Sequence, residues 1–201
     1  MPVGAVLGAA ADLEEVRIED VDLDGASARG VRLDRCVLER VQLTGCDARD
    51  SSWRDVALSE CELSGARLSV ADFVRVAFTG ARGAGAVFVE STLRHVRFTD
   101  CRLDGATFRG ATLEQCVFER CNLVDADFAE ATFDAVELAE CDLRRADLSI
   151  ARCERVFLTR SMLEEVRGVP RLRGATVTPD AVVPLAMSAF AGLGFVIDEP
   201  D

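Results

Sequence analysis

The chain has 201 residues, of which 49% are hydrophobic and 29% charged, so it can form one domain with a substantial core. Acidic residues outnumber basic ones by 35 to 23, and the formal net charge of −12 argues against direct binding of a nucleic-acid backbone. Every basic residue is Arg, Tyr is absent and His95 is the only histidine, which excludes chemistry based on a Lys Schiff base, a Tyr acid or paired His ligands.

The first ten residues form an apolar segment ahead of the repeats. Met1 to Ala11 lacks the positively charged start of a signal peptide, and no apolar run approaches the ~18 residues of a membrane span. We interpret residues 1–10 as an N-terminal cap segment of the mature protein. We expect a cytoplasmic location without membrane contact.

A period of five residues organises the chain from residue 11 to residue 167. Every fifth position from Leu13 to Leu163 is Leu or Phe with few exceptions, and the positions two residues earlier are Ala, Val, Cys or Ser. A helix would spread these positions around its circumference, and a strand would send them to alternate faces. The pattern is satisfied if each pentapeptide turns one corner and four corners close a coil of twenty residues.

Residues twenty apart support this coil, because each column has its own composition. The column from Val16 to Val156 contains only Val and Cys. Two sets of phenylalanines recur at the same spacing and should stack: Phe78, Phe98 and Phe118, and Phe88, Phe108 and Phe128.

The repeat resembles that of the pentapeptide-repeat proteins, whose signature is A(D/N)LXX. It stands here as Ala106-Thr107-Phe108-Arg109-Gly110, Cys121-Asn122-Leu123-Val124-Asp125 and Ala146-Asp147-Leu148-Ser149-Ile150. The resemblance implies an all-β fold over residues 11–167, namely a right-handed quadrilateral β-helix of about eight coils. We expect a short C-terminal helix-strand cap to follow it.

Three irregularities have both a structural and a functional interpretation. Gly83 replaces a large core residue, which predicts either a narrowing filled by Leu63 and Leu103 or a kink that a partner grips. Trp53 is expected in the core rather than at an exposed contact. His95 lies at an outward corner with no identifiable partner that would orient it for catalysis.

Seven of the eight cysteines occupy the small inward positions, where Cys alternates with Ala and Val as a small buried residue, and Cys153 occupies a large inward position. We therefore expect structural thiols and no metal site. Nothing in the sequence points to a catalytic residue or a cofactor, and we expect a protein that is not an enzyme.

The period slips by one residue after Val166, and Gly168 and Pro170 mark the start of a C-terminal segment, residues 168–201. Thr178 is a typical helix N-cap, Pro184 should interrupt the helix, and we predict a helix from about Pro184 to Ala191, followed by a strand over residues 195–197. The segment is either a lid or a lid that also joins two copies, because the resemblance implies homodimers paired end to end. The candidate cap or dimer contacts are Phe157, Met162, Val182, Leu185, Met187, Phe190, Leu193 and Phe195.

Charge is the remaining lead to function. Between Cys121 and Leu143 the chain has no Arg, and its acidic residues form a candidate partner surface: Asp125, Asp127, Glu130, Asp134, Glu137, Glu140 and Asp142. A second acidic group lies between Asp12 and Asp24, whereas the middle coils mix both signs. We expect a protein-interaction scaffold of unknown partner. The alternative, which the resemblance implies, is a DNA mimic that binds the type II topoisomerases gyrase and topoisomerase IV and modulates quinolone sensitivity.

Overall fold

The five-residue period bends the backbone at every fifth residue. In the computed structural model, which describes residues 8–192, every fifth residue from Ala10 to Glu165 except Ile150 has a positive φ. Four such corners close a coil, and about eight coils stack into a quadrilateral β-helix. We call residues 11–167 the repeat shaft and number its coils from Ala11 in steps of twenty residues.

Two adjacent sides of the shaft are parallel β-sheets of three-residue strands. Face 1 contains β1 (Asp12–Glu14), β3 (Arg32–Asp34), β5 (Ser52–Arg54), β7 (Asp72–Val74), β9 (Thr92–Arg94), β11 (Thr112–Glu114), β13 (Thr132–Asp134) and β15 (Arg152–Glu154). Face 2 contains β2 (Arg17–Glu19), β4 (Val37–Glu39), β6 (Ala57–Ser59), β8 (Ala77–Thr79), β10 (Arg97–Thr99), β12 (Val117–Glu119), β14 (Glu137–Ala139) and β16 (Phe157–Thr159).

The other two sides are held by single parallel bridges and tight turns. On face 3, parallel bridges join residues twenty apart, such as Asp22 and Gln42. On face 4, the same kind of bridge joins residues such as Ser27 and Asp47. The turns have a left-handed residue in third place, often Gly, as in the turn of Leu23 to Ala26. Several Asp and Asn side chains on these faces accept a hydrogen bond from the backbone N–H two residues later, which explains why the repeat favours them there.

Residues twenty apart pair in register, as the sequence predicted, and the core is a stack of aromatic rings. Phe78, Phe98 and Phe118 lie with centroids 4.6 and 4.7 Å apart, and the second column, Phe88 to Phe128, has spacings of 4.8 and 4.9 Å. Rings of the two columns meet edge to face. Both arrangements are favourable for aromatic quadrupoles, so the stacks fix the register of the coils as well as filling the shaft.

The irregular residues pack into the core without opening it. Trp53 is buried, stacks on Phe73 with centroids 5.7 Å apart, and donates its Nε1–H to the hydroxyl of Ser51. At Gly83 a Cβ would lie 3.0 Å from the Leu103 side chain and 3.7 Å from Leu63. The two leucines therefore fill this corner, in agreement with the first of the two interpretations.

The last coil departs from the pattern. Ile150 is buried and lacks the left-handed turn, and the two inward positions that follow are open to solvent, with Ala151 exposed and Cys153 half-buried. In the described residues, face 1 ends at β15 with no strand below it. Gly168 passes directly against the backbone of Leu148 and Ser149 with a φ of 80°, so a side chain cannot be placed there.

The described part of the C-terminal segment, residues 168–192, forms a cap over the last coil. A 3₁₀-helix (Val169–Leu172) leads to strand β17 (Thr176–Val177), which extends face 2 by pairing Val177 with Leu158. This pairing spans nineteen residues instead of twenty, which is the structural consequence of the one-residue slip.

Helix α1 (Val182–Gly192) follows a second 3₁₀-helix (Pro179–Ala181). It begins two residues earlier than predicted, because Pro184 lies in the first turn, where its missing N–H has no helical partner to lose. Thr178 makes no side-chain cap; its hydroxyl accepts a hydrogen bond from the backbone N–H of Arg160. The strand predicted over residues 195–197 lies outside the described residues.

Candidate interaction surfaces

The interior of the shaft is filled. The void beside Trp53 and Ala48 measures about 10 Å³, which is at the lower limit of the space that one water molecule needs. Residues 8–192 contain no group of three His, Cys, Asp or Glu residues that could hold a metal ion, and His95 is exposed.

The buried thiols are held as hydrogen-bond donors. Cys36, Cys61 and Cys116 each donate to backbone carbonyls, and Ser161 uses its hydroxyl in the same way. Burial raises the pKa of Cys116 to about 12 and that of Cys46 to about 11. The thiols of Cys116 and Cys46 therefore stay neutral at physiological pH and are poor nucleophiles.

The acidic band of coils 6 and 7 is largely paired with arginines. Carboxylate–guanidinium contacts of 2.6–2.8 Å are Asp125–Arg145, Asp127–Arg109, Glu140–Arg160 and Asp142–Arg144; Asp134 contacts Arg155, and Glu130 lies 3.5 Å from Arg109. Of the seven residues, only Glu137 has no ion pair within the described part of the chain. The structure thus brings the seven carboxylates to neighbouring coils and places an arginine against six of them.

These pairs run mainly along the shaft axis. Arg145, Arg120 and Arg75 each reach the Asp twenty residues earlier in two contacts. The hydrogen bonds from Arg145 hold the pKa of Asp125 below its ordinary value, and those from Arg49 lower the pKa of Asp47 to about 2. A window of linear sequence could not show the pairing of Asp125 with Arg145, because Arg145 lies in the next coil, whereas Arg49 is only two residues from Asp47.

The first coil carries the second acidic group, and the same pairing occurs there. Arg35 contacts Glu14 and Glu15, and Arg40 contacts Asp20. The charge that remains unpaired in this coil is therefore smaller than the sequence count indicates.

The C-terminal end presents the largest exposed apolar side chains. Phe157 and Met162 are 43% and 47% exposed, and no residue of α1 is buried. Val182, Val183, Met187 and Phe190 are exposed to similar or greater extents, and Leu185 is half-buried. Leu193 and Phe195, the other two predicted contacts, lie outside the described residues. The structure therefore groups the described contacts at one end of the rod.

Two grooves flank α1. One, of about 410 Å³, runs between Val183, Met187 and the exposed corner of Glu164 and Glu165. The other, of about 400 Å³, lies between the helix and Gly168, and the buried hydroxyl of Ser188 beside it has no hydrogen-bond partner in residues 8–192. Glu164, Glu165, Arg171 and Arg173 make no ion pair within those residues. This end combines apolar surface with free charges of both signs.

A smaller apolar patch lies in the middle of the shaft, and the sequence analysis missed it. Val70, Val87 and Val89 stand at outward positions of coils 3 and 4, and Val70 is 56% exposed. The signal was present, since valine is unexpected at positions where the repeat otherwise places polar residues.

Comparison with known proteins supports the fold. A family model described as "Pentapeptide repeat region" matches residues 51–128 and 97–167, and one described as "Pentapeptide repeats (8 copies)" matches residues 11–47. A search of curated proteins found no significant match. Within residues 8–192, no helix has the length and apolar character to cross a membrane.

The solved structures that match this chain have low sequence identity to it. A trypsin-treated variant of QnrB1, a plasmid-mediated fluoroquinolone resistance protein, is 20% identical with a TM-score of 0.60, covering 94% of this chain and 91% of that one. HetL, a pentapeptide repeat protein involved in heterocyst differentiation regulation in Nostoc sp. strain PCC 7120, is 19% identical with a TM-score of 0.35, covering 82% and 84%.

Proposed function

The chain belongs to the pentapeptide-repeat family, and from its surface we propose that it is a non-enzymatic rod that binds other proteins and forms a homodimer through its C-terminal end. The observation that carries this proposal is α1, an eleven-residue helix in which no residue is buried. A helix that is apolar on all sides is normally covered. Exposed apolar surface of this kind marks sites of protein association.

Charge favours a second copy as the occupant of this end. Glu164 and Glu165 line the groove beside Val183 and Met187, and Arg171 and Arg173 are exposed residues of the cap. In a two-fold contact each copy offers the same surface, so the carboxylates of one copy can meet the guanidinium groups of the other. The apolar residues Met162, Val183 and Met187 then lie between the charged groups, as in the core and rim of a protein interface.

The dimer is tested by light scattering after size-exclusion chromatography. We expect the wild-type chain to have twice its mass of 21.7 kDa, and Val183→Glu combined with Met187→Glu to have the monomer mass. The matched control is Val70→Glu, which places the same charge on an exposed valine of the middle coils and should leave the dimer intact. A monomeric wild type at ~100 µM, a concentration far above the Kd of a specific complex, would refute the dimer.

The alternative proposal is a DNA mimic that binds a type II topoisomerase, and it draws on the resistance role of QnrB1. Such a mimic needs an ordered anionic surface that matches a cationic groove. The ion pairs of Asp125, Asp127 and Asp142 weaken this alternative, because they neutralise the band that would act as the mimic. A gyrase supercoiling assay with and without a fluoroquinolone separates the two proposals. If the protein neither inhibits gyrase nor protects it from the drug, the DNA mimic is refuted and the scaffold remains.

A further inference from the structure

We propose that the open edge of strand β15 binds residues 193–201 of the same chain, which add a strand to face 1 and close this end of the shaft. We call the edge formed by residues 151–155 the face 1 edge. The inference goes beyond the proposed function, because it assigns a docking site to the chain's own C-terminal residues whether or not two copies associate.

The face 1 edge has backbone groups without hydrogen-bond partners. The carbonyl of Glu154 faces the preceding coil, where it accepts a hydrogen bond from the N–H of Ala135 at 3.0 Å. Successive residues of a strand direct their backbone groups to opposite sides, so the N–H and C=O of Cys153 face the edge. In the described part of the chain β15 pairs only with β13, and no backbone hydrogen bond reaches the carbonyl of Ala151 or leaves the N–H of Arg155. An edge of this kind can accept a further strand.

On face 2 the corresponding groups have partners. Strand β17 continues that face, and the N–H of Thr176 donates to the carbonyl of Val156 at 2.8 Å. The N–H of Arg160, at the corner that follows, donates to the side chain of Thr178 at 2.9 Å. The cap therefore completes face 2, whereas its described residues leave face 1 without a final strand.

The inward side chains at the face 1 edge are also incompletely covered. Leu172 is buried and its 3₁₀-helix lies against β15, yet Ala151 is exposed and Cys153 is only half-buried. Cys153 is the smallest residue of its column on face 1, so it leaves room for a large neighbour. The other members of the column are Leu13, Leu33, Trp53, Phe73, Leu93, Leu113 and Phe133.

Helix α1 ends beside a groove that leads to this edge. Gly192 lines the groove of about 400 Å³ whose other wall includes Gly168. Gly168 lies against the backbone of Ser149, two residues before Ala151. The buried hydroxyl of Ser188 in the same groove has no hydrogen-bond partner among the described residues, and a main chain that crosses the groove can supply one. A strand that enters from this side runs parallel to β15, as the other strands of face 1 do.

The residues that follow α1 suit such a strand. Leu193 and Phe195 are apolar and two residues apart, which is the spacing of the two inward positions in each repeat. Val196 and Ile197 are β-branched, and residues of this type favour strands. In the proposed arrangement Phe195 takes the large inward position next to Cys153.

Charge supports the same occupant. The residues after this apolar run include Asp198, Glu199 and Asp201. Arg171 and Arg173 are exposed and make no ion pair within the described residues, and the 3₁₀-helix that contains Arg171 lies against β15. A guanidinium group forms strong hydrogen bonds with carboxylates. It has five N–H donors, so these arginines can bind the tail and still face a second copy.

The carboxylates next to β15 do not compete for these arginines. Glu154 lies 2.7 Å from Arg152, and Asp134 contacts Arg155. A second copy that placed its own β15 on the edge would bring Arg171 and its symmetry mate together, which disfavours that occupant. An acidic segment of the same chain meets the charge of the edge instead.

Hydrogen exchange of the full chain tests the proposal at the edge itself. We expect the amides of Cys153 and Arg155 to be protected, and Phe195→Asp to make them exchange at least about tenfold faster while β13 keeps its protection. The matched control is Met162→Asp, at an exposed apolar position on face 3, which should leave both amides protected. Free exchange of the two amides in the wild type would overturn the proposal.

A pair of proline substitutions tests the direction of the strand. Val196→Pro removes the N–H that donates to the carbonyl of Cys153 in this arrangement, so alkylation of the Cys153 thiol by iodoacetamide should become about tenfold faster. Ile197→Pro is the control, because the N–H of the next residue faces away from β15 and its loss should leave the rate unchanged. Equal rates for Val196→Pro and the wild type would contradict the pairing.

The monomeric variant separates this inference from the proposed dimer. In Val183→Glu combined with Met187→Glu, the amides of Cys153 and Arg155 should stay protected. Loss of their protection together with the dimer would show that a second copy supplies the strand, and would overturn the assignment to the same chain. Protected amides in a wild type that is monomeric would refute the dimer and support the docked tail.

Discussion

The repeat shaft and the cap are both rich in Val, Leu and Phe, but they place these side chains differently. In the shaft, eight phenylalanines are essentially inaccessible and stack on residues of neighbouring coils. In the cap, Val182, Val183 and Met187 are about half exposed or more, on a helix with no buried residue.

The difference follows from where each region finds hydrogen-bond partners for its backbone N–H and C=O groups. A coil of the shaft forms its hydrogen bonds with the coils on either side, so its large residues meet others of the same shape at a fixed spacing. A helix forms its backbone hydrogen bonds internally, so α1 can leave most of its residues exposed while Leu185 packs against the core. Apolar residues in the shaft thus specify the fold, whereas the exposed apolar residues of α1 are candidates for association.

The largest expected effect is the loss of a stacked ring. Phe108→Ala should lower the free energy of unfolding by about 3–5 kcal/mol, because it leaves a cavity between the rings of Phe88 and Phe128. Denaturant unfolding followed by circular dichroism measures it. The matched control is Phe157→Ala at an outward, 43% exposed position, for which we expect about 1 kcal/mol. Similar losses for both would contradict the contrast between inward and outward apolar residues.

The second prediction concerns the junction between the two regions. Gly168→Ala should destabilise the cap by about 3 kcal/mol, because its φ is +80° and its Cβ would meet the backbone of Leu148 and Ser149. Gly174→Ala is the control: its φ is +90° but its Cβ would meet nothing within 4 Å, so only a backbone cost of about 1 kcal/mol is expected.

Hydrogen exchange of residues 168–192 measures the opening of the cap. In Gly168→Ala these residues should exchange faster while coils 2 to 6 keep their protection. Uniform loss of protection along the chain would show that the cap and the shaft unfold as one unit.

The smallest expected effect is a dependence of the Tm on pH, which should arise from carboxylates of the shaft and not from those of the cap. Hydrogen bonds from arginines lower the pKa of Asp47 to about 2, and they lower the pKa values of Asp125 and Asp142, from an ordinary value of 3.8. Because the folded-state pKa is the lower one, this stabilisation is complete above about pH 4 and is lost as the pH falls through the folded value, near 2 for Asp47. The Tm should therefore decrease between pH 4 and pH 2.

Substitution identifies the groups responsible for this decrease. Asp47→Asn should reduce the dependence of Tm on pH, since one of the titrating carboxylates is gone. Asp180→Asn in the cap, whose carboxylate has no ion pair within the described residues, should leave it unchanged. A flat Tm in the wild type would show that the exposed pairs contribute no net stability.

Much of the shaft could be predicted from sequence, because its contacts repeat at a constant spacing. The stacking of Phe98 on Phe118 and the filling of the Gly83 corner both follow from columns of residues twenty apart. The cap has no such repeat, and its helix start was misplaced because a proline in the first turn was treated as an interruption. The pairing of Asp125 with Arg145 was missed because an acidic run was interpreted without the coil below it.

The positions of the cysteines allow thiol modification to report how the protein unfolds. Each coil is bonded only to its neighbours, and the thiols are distributed along the axis, from Cys36 near one end to the half-buried Cys153 near the other. We expect a reagent that modifies thiols to react first with the half-buried Cys153, and then with Cys141, Cys121 and Cys101 one after another if the coils loosen progressively from that end. The order in which the cysteines are modified would thus show whether the shaft unfolds coil by coil from one end or in a single cooperative step.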